Sequence, residues 1–381
     1  MFQALVILLV SAAACWLLGI PVNRLLLRWQ IIDLPNQRSS HTRPTVRGGG
    51  IAIVATVVGV SIWLICRFGS RPLLMVGLFT LALAVVSLVD DLKSIRVGIR
   101  FGCQLLAAVI VLVALGISSI TVGFSPGGGL LVPVVASGVF GCLWIVGYTN
   151  AFNFMDGING IAAGQAAVTG VGMAMLTALT MGEFSLPPVL LSFAIAGAAL
   201  GFLPHNFPRA RMFMGDVGSA PLGFMLGVLV IWLAKSAGWW LLVPLFLVHA
   251  NFVLDTAITL LRRVARGEQW YQAHREHFYQ RLVRSGRSHT FVTGWELGLQ
   301  GLVLGLMLLY LQASVPMRVG LIVVVILIWL TFFVFCEVSF RRTSTLRPLT
   351  SDSLSAGGEG RGEVLPESAV RTTLGMGKGP G

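Results

Sequence analysis

The sequence predicts an all-α polytopic integral membrane protein with about 11 transmembrane helices, its N-terminus periplasmic and its C-terminus cytoplasmic. Three observations predict it. Apolar residues make up 56% of the 381 and charged residues only 11%, the composition of a chain whose solvent is lipid. The apolar residues gather in eleven runs, each near the ~20 residues that a bilayer crossing needs. The 27 Lys and Arg divide unequally between alternate connections.

The runs lie at roughly 2–20, 48–66, 73–89, 101–117, 132–149, 161–180, 186–203, 217–234, 238–261, 294–312 and 317–340. The first has no basic leader and no small-residue cleavage site, so it reads as a retained span and not a signal peptide. Connections that follow odd-numbered runs carry 5, 3, 0, 2 and 7 basic residues, and the C-terminal segment carries 6. The other connections hold only Arg67, Arg71, Lys235 and Arg318. A split of 23 against 4 puts the odd connections and the C-terminus on the cytoplasmic side of the membrane. The formal charge of +12 then reflects topology and attraction to an anionic lipid bilayer. It does not signal nucleic acid, for which no motif is present. Residues 118–130 alternate and then turn through Ser-Pro-Gly-Gly-Gly, which predicts a small hairpin on the outer side. Residues 1–340 form the membrane domain, with a cytoplasmic-face active site. Residues 341–381 are Ser-, Thr-, Gly- and Pro-rich and are expected to be a disordered tail. The five Cys are scattered and none forms a C-x-x-C pair, so zinc and disulfide frameworks are not expected.

The odd connections also hold nearly every unusual polar cluster. The densest is Asn150-Ala-Phe-Asn153-Phe-Met-Asp156-Gly-Ile-Asn159-Gly160. Polar side chains beside hydrocarbon are costly without partners, although a plain polar turn is the simpler reading of this stretch alone. Asp90-Asp91 closes the third run. Adjacent carboxylates repel, and negative charge at a helix C-terminus is unfavourable, which argues against an idle acidic pair. Such oxygens suit Mg²⁺, which takes one or two carboxylates plus substrate phosphates. Gly215-Asp216-Val-Gly-Ser219 opens the eighth run, where a carboxylate can ligate a metal or simply cap the helix.

The most basic connection carries His274-Arg275-Glu-His277. Its His and Arg suit phosphate. Two His at this spacing could begin a zinc site, but no third ligand follows. A basic patch at the lipid surface is the alternative. Asp255 lies near the inner end of the ninth run and is a functional candidate by position, or a partner for Arg262 or Arg263. The first inside loop runs from Asp33-Leu-Pro-Asn36 through Arg47 to Gly48-Gly-Gly50 and combines basic residues with glycines, but it lacks a Walker lysine.

Taken together these strings resemble the polyprenyl-phosphate N-acetylhexosamine-1-phosphate transferases (glycosyltransferase family 4), which also include phospho-MurNAc-pentapeptide translocase. The matching strings are D-L-P-N-x-R-S-x-H-x-x-P-x-x-R-G-G-G (33–50), V-D-D-L-K (89–93), N-A-F-N-F-M-D-G-I-N-G (150–160), F-M-G-D-V-G-S (213–219), L-D-T (254–256) and H-R-E-H-x-Y-Q-R-L (274–282). The resemblance implies ten or eleven helices, a cytoplasmic cleft, and Mg²⁺ or Mn²⁺. It implies transfer of a sugar-1-phosphate from a UDP-N-acetylhexosamine to undecaprenyl phosphate, with release of UMP. It leaves a homodimer open. Asp216 then corresponds to a metal ligand. Asp90 or Asp91 would activate the acceptor phosphate, with Asp91 also at the metal. Asn150, Asn153, Asp156 and Asn159 would line the nucleotide-sugar pocket. His274, Arg275, His277 and Arg47 would hold phosphate or sugar. Relatives often carry D-G-x-D-G where this chain has Asp156-Gly-Ile-Asn159-Gly, and a longer run of histidines near 274–277. Both departures lean toward the branch that initiates O-antigen and related envelope polysaccharides.

Two other classes compete. A transporter fits the span count and Asp255, but no internal repeat is visible and the acids sit at one surface, not at mid-membrane. A CDP-alcohol phosphotransferase would need D-G-x-x-A-R, whereas Asp156-Gly157 continues Ile-Asn-Gly.

Overall fold

The computed structural model describes residues 1–35, 43–269 and 274–346. Met1–Phe340 form one compact unit, and a second unit, Arg341–Gly381, is described only as far as Leu346. The disordered tail expected beyond Phe340 therefore lies almost wholly outside the described residues. So do positions 36–42 of the first loop and 270–273 of the basic connection.

Ten described helices are long and apolar enough to cross a membrane. They are α1 (Phe2–Arg28), α2 (Gly50–Phe68), α3 (Arg71–Lys93), α4 (Val97–Ala114), α5 (Val134–Met155), α6 (Ile161–Met181), α7 (Pro187–Asn206), α8 (Asp216–Ala237), α12 (His289–Gln312) and α13 (Val315–Leu346). Between α8 and α12 lie a 3-10 turn (Trp239–Leu241), α9 (Leu242–Leu247), α10 (Ala250–Ala265) and the short α11 (Phe278–Arg284). The chain is thus a multi-pass helical membrane protein.

The helices are arranged around α8. Its apolar window is wholly buried, and those of α6 and α7 are largely so, whereas α1 and α4 show most of theirs to the outside. A helix apolar on every side must be surrounded. Helix α8 packs chiefly against α3 and α5, the helices whose ends carry Asp91 and the Asn150–Asp156 stretch.

The ninth predicted run is not one straight span. Residues 239–247 and 250–265 meet at a bend of 71°. The break falls between α9 and α10, and the carbonyl it frees is satisfied by side chains from neighbouring helices. The Val248 carbonyl accepts from Gln165 Nε2 (3.3 Å) and from Gln300 Nε2. His249 Nδ1 meets the Tyr148 hydroxyl at 2.6 Å, and Asn251 Nδ2 donates to Gln165 Oε1 at 2.9 Å. A break in hydrocarbon persists only with such partners.

Two small sheets qualify the all-α expectation. The hairpin predicted at 118–130 is present, as β3 (Ile120–Val122) antiparallel to β4 (Leu130–Val132). Lys235 and Arg318 tie this end of the bundle together. Lys235 Nζ donates to the Leu115 and Gly116 carbonyls. Arg318 donates to Phe124 O at 2.6 Å and lies over Trp240. At the other end β1 (Ile32–Asp33), β2 (Thr45–Arg47) and β5 (Met212–Phe213) form a second, unforeseen sheet. Strands β2 and β5 are parallel, pairing Val46 with Met212 and Arg47 with Phe213. This sheet splices the first polar loop onto the segment that leads into α8.

Candidate active site

The site begins at the N-terminus of α8. Gly215 has φ +74°, a conformation that suits glycine, and it turns the chain from β5 into the helix. A Cβ at Gly50 would lie 2.3 Å from Gly218 Cα, so only glycine lets the start of α2 rest on the first turn of α8. The ladder continues past the strands, with Gly49 N donating to Phe213 O (2.9 Å) and Gly50 N to Met214 O (2.8 Å).

No side chain of its own caps α8. Asp91, in the last turn of α3, does so from outside: Asp216 N and Val217 N donate to its carboxylate at 3.4 and 3.1 Å. The positive end of one helix thereby offsets negative charge at the end of another. Arg47 completes the junction. Its Nη2 lies 2.7 Å from Asp91 Oδ1 and 2.9 Å from Asp216 Oδ1. Arg100 on α4 pairs with Asp90 and stands 3.6 Å from Asp216 Oδ2. Asp90 also accepts from Ile95 N at 2.6 Å. The two adjacent acids therefore face different ways. Asp90 holds the turn between α3 and α4, and Asp91 shares a guanidinium with Asp216.

A cleft opens beside this cluster between α3, α4, α5 and α8. Its polar wall is Ser87, Arg100, Gln104, Asn150, Asn153 and Asp216, and Leu83, Val86 and Ala220 form the apolar remainder. Asn150 Nδ2 donates to Gln104 Oε1 (2.7 Å), and Asn153 Nδ2 to Ser219 Oγ (2.8 Å). Asp156 follows the end of α5 and is partly buried. Burial, reinforced by the Asp216 charge and opposed by Arg47, pushes its carboxyl up to about 7. Asn159 is turned elsewhere, its amide donating to Pro208 O at 3.1 Å. Asn206 binds Gly160 N (2.6 Å) and Met212 O (2.9 Å), fastening the polar turn to β5.

The basic connection forms a second centre. His277 Nδ1 lies 2.9 Å from Asp255 Oδ1, and Phe278 N and Tyr279 N also donate to that carboxylate. Asp255 therefore partners His277, not the Arg262 or Arg263 considered from sequence. Arg262 pairs with Glu337, and Arg263 with Glu268 and Glu276. The His274 and His277 rings are 4.9 Å apart. Burial, with the His277 and Arg263 charges, lowers His274 to about 4, so at neutral pH it can act on an anion only through a neutral N–H. Arg275 is partly buried beside it, its carbonyl accepting from Arg284. Tyr279 OH donates to Phe154 O at 3.0 Å, which joins this centre to the end of α5. No described contact joins His274 or His277 directly to Asp91 or Asp216.

Sequence reasoning missed Arg100, Gln104 and the partners of Ser219 and Asn206. Gln104 carried a signal, being a polar residue inside an apolar run. Arg100 was only counted as topological charge.

Among the described residues no three His, Cys, Asp or Glu converge as an all-protein metal cage. Asp91 and Asp216 do present oxygens to one cationic group, the Arg47 guanidinium. Two hard carboxylate oxygens fit an ion such as Mg²⁺ that completes its shell with water and substrate phosphate.

Comparison with known proteins gives the family. Residues 73–234, from α3 to the end of α8, match the model of glycosyl transferase family 4. The chain is 31% identical over 299 residues to a decaprenyl-phosphate N-acetylglucosaminephosphotransferase of Mycobacterium tuberculosis, covering 71% of this chain and 73% of that one. It is 29% identical over 296 residues to a probable undecaprenyl-phosphate N-acetylglucosaminyl 1-phosphate transferase of Bacillus subtilis, covering 76% and 80%. It is 30% identical over 300 residues to a phospho-N-acetylmuramoyl-pentapeptide-transferase of Desulforudis audaxviator, covering 72% and 87%. With its acids, amides and arginines gathered at one end of such a bundle, the chain belongs to glycosyl transferase family 4, the polyprenyl-phosphate phosphosugar transferases.

Proposed function

We propose that this protein transfers an N-acetylhexosamine-1-phosphate from a UDP-sugar to undecaprenyl phosphate, releasing UMP, at the cytoplasmic face of a bacterial inner membrane. The product is the lipid-linked first sugar of a cell-envelope polysaccharide. The observation that carries this reading is the meeting of Asp91, Asp216, Arg47 and Arg100 beside a cleft whose lining includes Arg100, Asp216 and both polar and apolar side chains.

Both reactants are anions, so the work of the site is neutralisation and alignment. Arg47 and Arg100 face the approaching phosphates. Asp91 and Asp216 would hold Mg²⁺, or Mn²⁺, which when bound neutralises the donor diphosphate. Asp90 or Asp91 takes the proton of the acceptor phosphate or orients it. Its oxygen attacks the phosphorus attached to the sugar, the bond to the uridylyl phosphate breaks, and UMP leaves. Asn150, Asn153 and Asp156 border the path for the nucleotide sugar, and His277 with Arg275 meets it from the other side. Val86, Leu83 and Ala220 offer the acceptor's hydrocarbon an apolar wall.

The test is to incubate purified protein with Mg²⁺, undecaprenyl phosphate and a panel of UDP-N-acetylhexosamines, and to measure UMP. Release with one donor is expected. Release only with UDP-MurNAc-pentapeptide would move the protein to peptidoglycan synthesis, a reading that the 30% identity with a pentapeptide transferase favours. No release with any donor would refute the proposal.

A further inference from the structure

Asp255 lies outside the acid cluster, yet it is 1% exposed and accepts four hydrogen bonds. Two come from Phe278 N and Tyr279 N and cap α11. A third comes from Thr259 Oγ1, one turn along α10, at 3.2 Å, and the fourth from His277 Nδ1. The other two N–H groups of that first turn are met by a capping box, in which Gln280 Oε1 accepts from His277 N and the His277 side chain faces Gln280 N. The bond to the imidazole is therefore more than the helix end requires. We propose that Asp255 is a positioning residue for His277: the carboxylate takes Nδ1 and leaves Nε2 as the nitrogen that meets the phosphosugar donor.

The surroundings support this role. The imidazole is held on several sides, with Phe154 at 6.2 Å, His274 at 4.9 Å and Tyr279 at 5.9 Å between ring centres. Tyr279 in turn is bonded to the Phe154 carbonyl. The ring therefore rests against the end of α5 that carries Asn153 and Asp156. Asp255 reaches it because α10 leaves the broken span at 71°. A carboxylate on one ring nitrogen fixes the tautomer and aims the other nitrogen. An Asn in its place can turn its amide toward the ring and favour the wrong tautomer. His274, by contrast, has no carboxylate on its ring among the described hydrogen bonds; its Nδ1 accepts from Glu276 N at 3.4 Å.

This inference rests on the proposed donor chemistry, and its test separates the two. The variants are Asp255→Asn, His277→Gln and the double variant, each scored for UMP release at varied donor concentration. Asp255→Asn is expected to lower kcat/KM about tenfold or more, and the double variant to be no worse than His277→Gln alone. Multiplying losses, or full rate in Asp255→Asn, would overturn the proposal and leave Asp255 as a helix cap only. If Asp255→Asn does not fold, or wild type releases no UMP, nitrogen NMR of ¹⁵N-histidine-labelled wild type decides the same question. The resonance lost in His277→Gln should show a proton on Nδ1, and a bare Nδ1 would refute the pairing. Absence of turnover with a protonated Nδ1 would refute the transferase reading and keep the dyad.

Discussion

At the scale of single residues, the centre of the site is an arginine between two acids. Arg47 lies within 3 Å of carboxylate oxygens from Asp91 and Asp216. Replacing Asp216 with Asn removes one of the two charges that would hold a divalent ion, and with it the pairing to Arg47. UMP release should fall below detection, and Mn²⁺ binding measured by electron paramagnetic resonance should weaken, while the protein still inserts and elutes as wild type. Arg47→Gln should do the reverse to the metal. The acids would lose their internal counter-charge, so Mn²⁺ should bind more tightly, while the KM for the donor rises about tenfold for want of a phosphate partner.

Asp156 gives a prediction in pH. Its carboxyl is pushed up to about 7 in the fold, against about 3.9 in an unfolded chain. Between those values the unfolded state has given up a proton that the folded state keeps, so stability falls as pH rises. Below the window both states are protonated, and above it both are ionised. Asp156→Asn removes this dependence. In chelator, its thermal midpoint should exceed that of wild type at pH 8 and match it at pH 4.

At the scale of elements, the decisive pieces are short and join distant parts of the chain. The β2–β5 pairing fixes Arg47 against the entry to α8, and Gly50 against Gly218 closes the same junction. Gly50→Ala sets a methyl group against backbone, so α2 must retreat from α8 and carry Arg47 with it. A shift of about 1 Å at such a junction can cost about a hundredfold in rate. UMP release should drop by that order with only a modest loss of thermal stability. An unchanged rate would show that the junction takes up the added methyl group without moving Arg47.

The long helices were legible in the sequence because twenty apolar residues leave little choice in lipid. The hairpin at 118–130 was legible from its alternation and its glycines. Strands of two or three residues carry no periodic signal, and no local pattern ties Val46 to Met212. The broken ninth span was not legible, because what holds it is non-local: Gln165 and Gln300, on helices far apart in sequence, donate to the freed carbonyl of Val248. The acids were legible as a group, yet their division of labour was not. It depends on Arg100 taking Asp90 and on α8 presenting its N–H groups to Asp91. Asp255 was legible as unusual, but its partner lies beyond the chain's own turn.

At the scale of the whole molecule, a wholly buried α8 has its N-terminus among the reacting groups and its other end under the hairpin, where Lys235 is anchored to the Leu115 and Gly116 carbonyls. The two ends of the bundle therefore differ in chemistry as well as in charge. In the proposed function a donor made in the cytoplasm can be used only if the end that holds Asp91 and Asp216 faces inward, the orientation that the split of 23 basic residues against 4 predicts. Single cysteines test this directly. Ser94, exposed beside the acids, and Ser118, exposed beside the hairpin, can each be changed to Cys in a Cys66→Ser background, since native Cys66 is itself exposed. In intact cells whose outer permeability barrier has been opened, a membrane-impermeant maleimide should label Ser118→Cys and spare Ser94→Cys until the inner membrane is lysed. The opposite pattern would place the acids outside, where no nucleotide sugar is supplied, and labelling of both positions from one side would deny that α4, the one helix between them, crosses the bilayer.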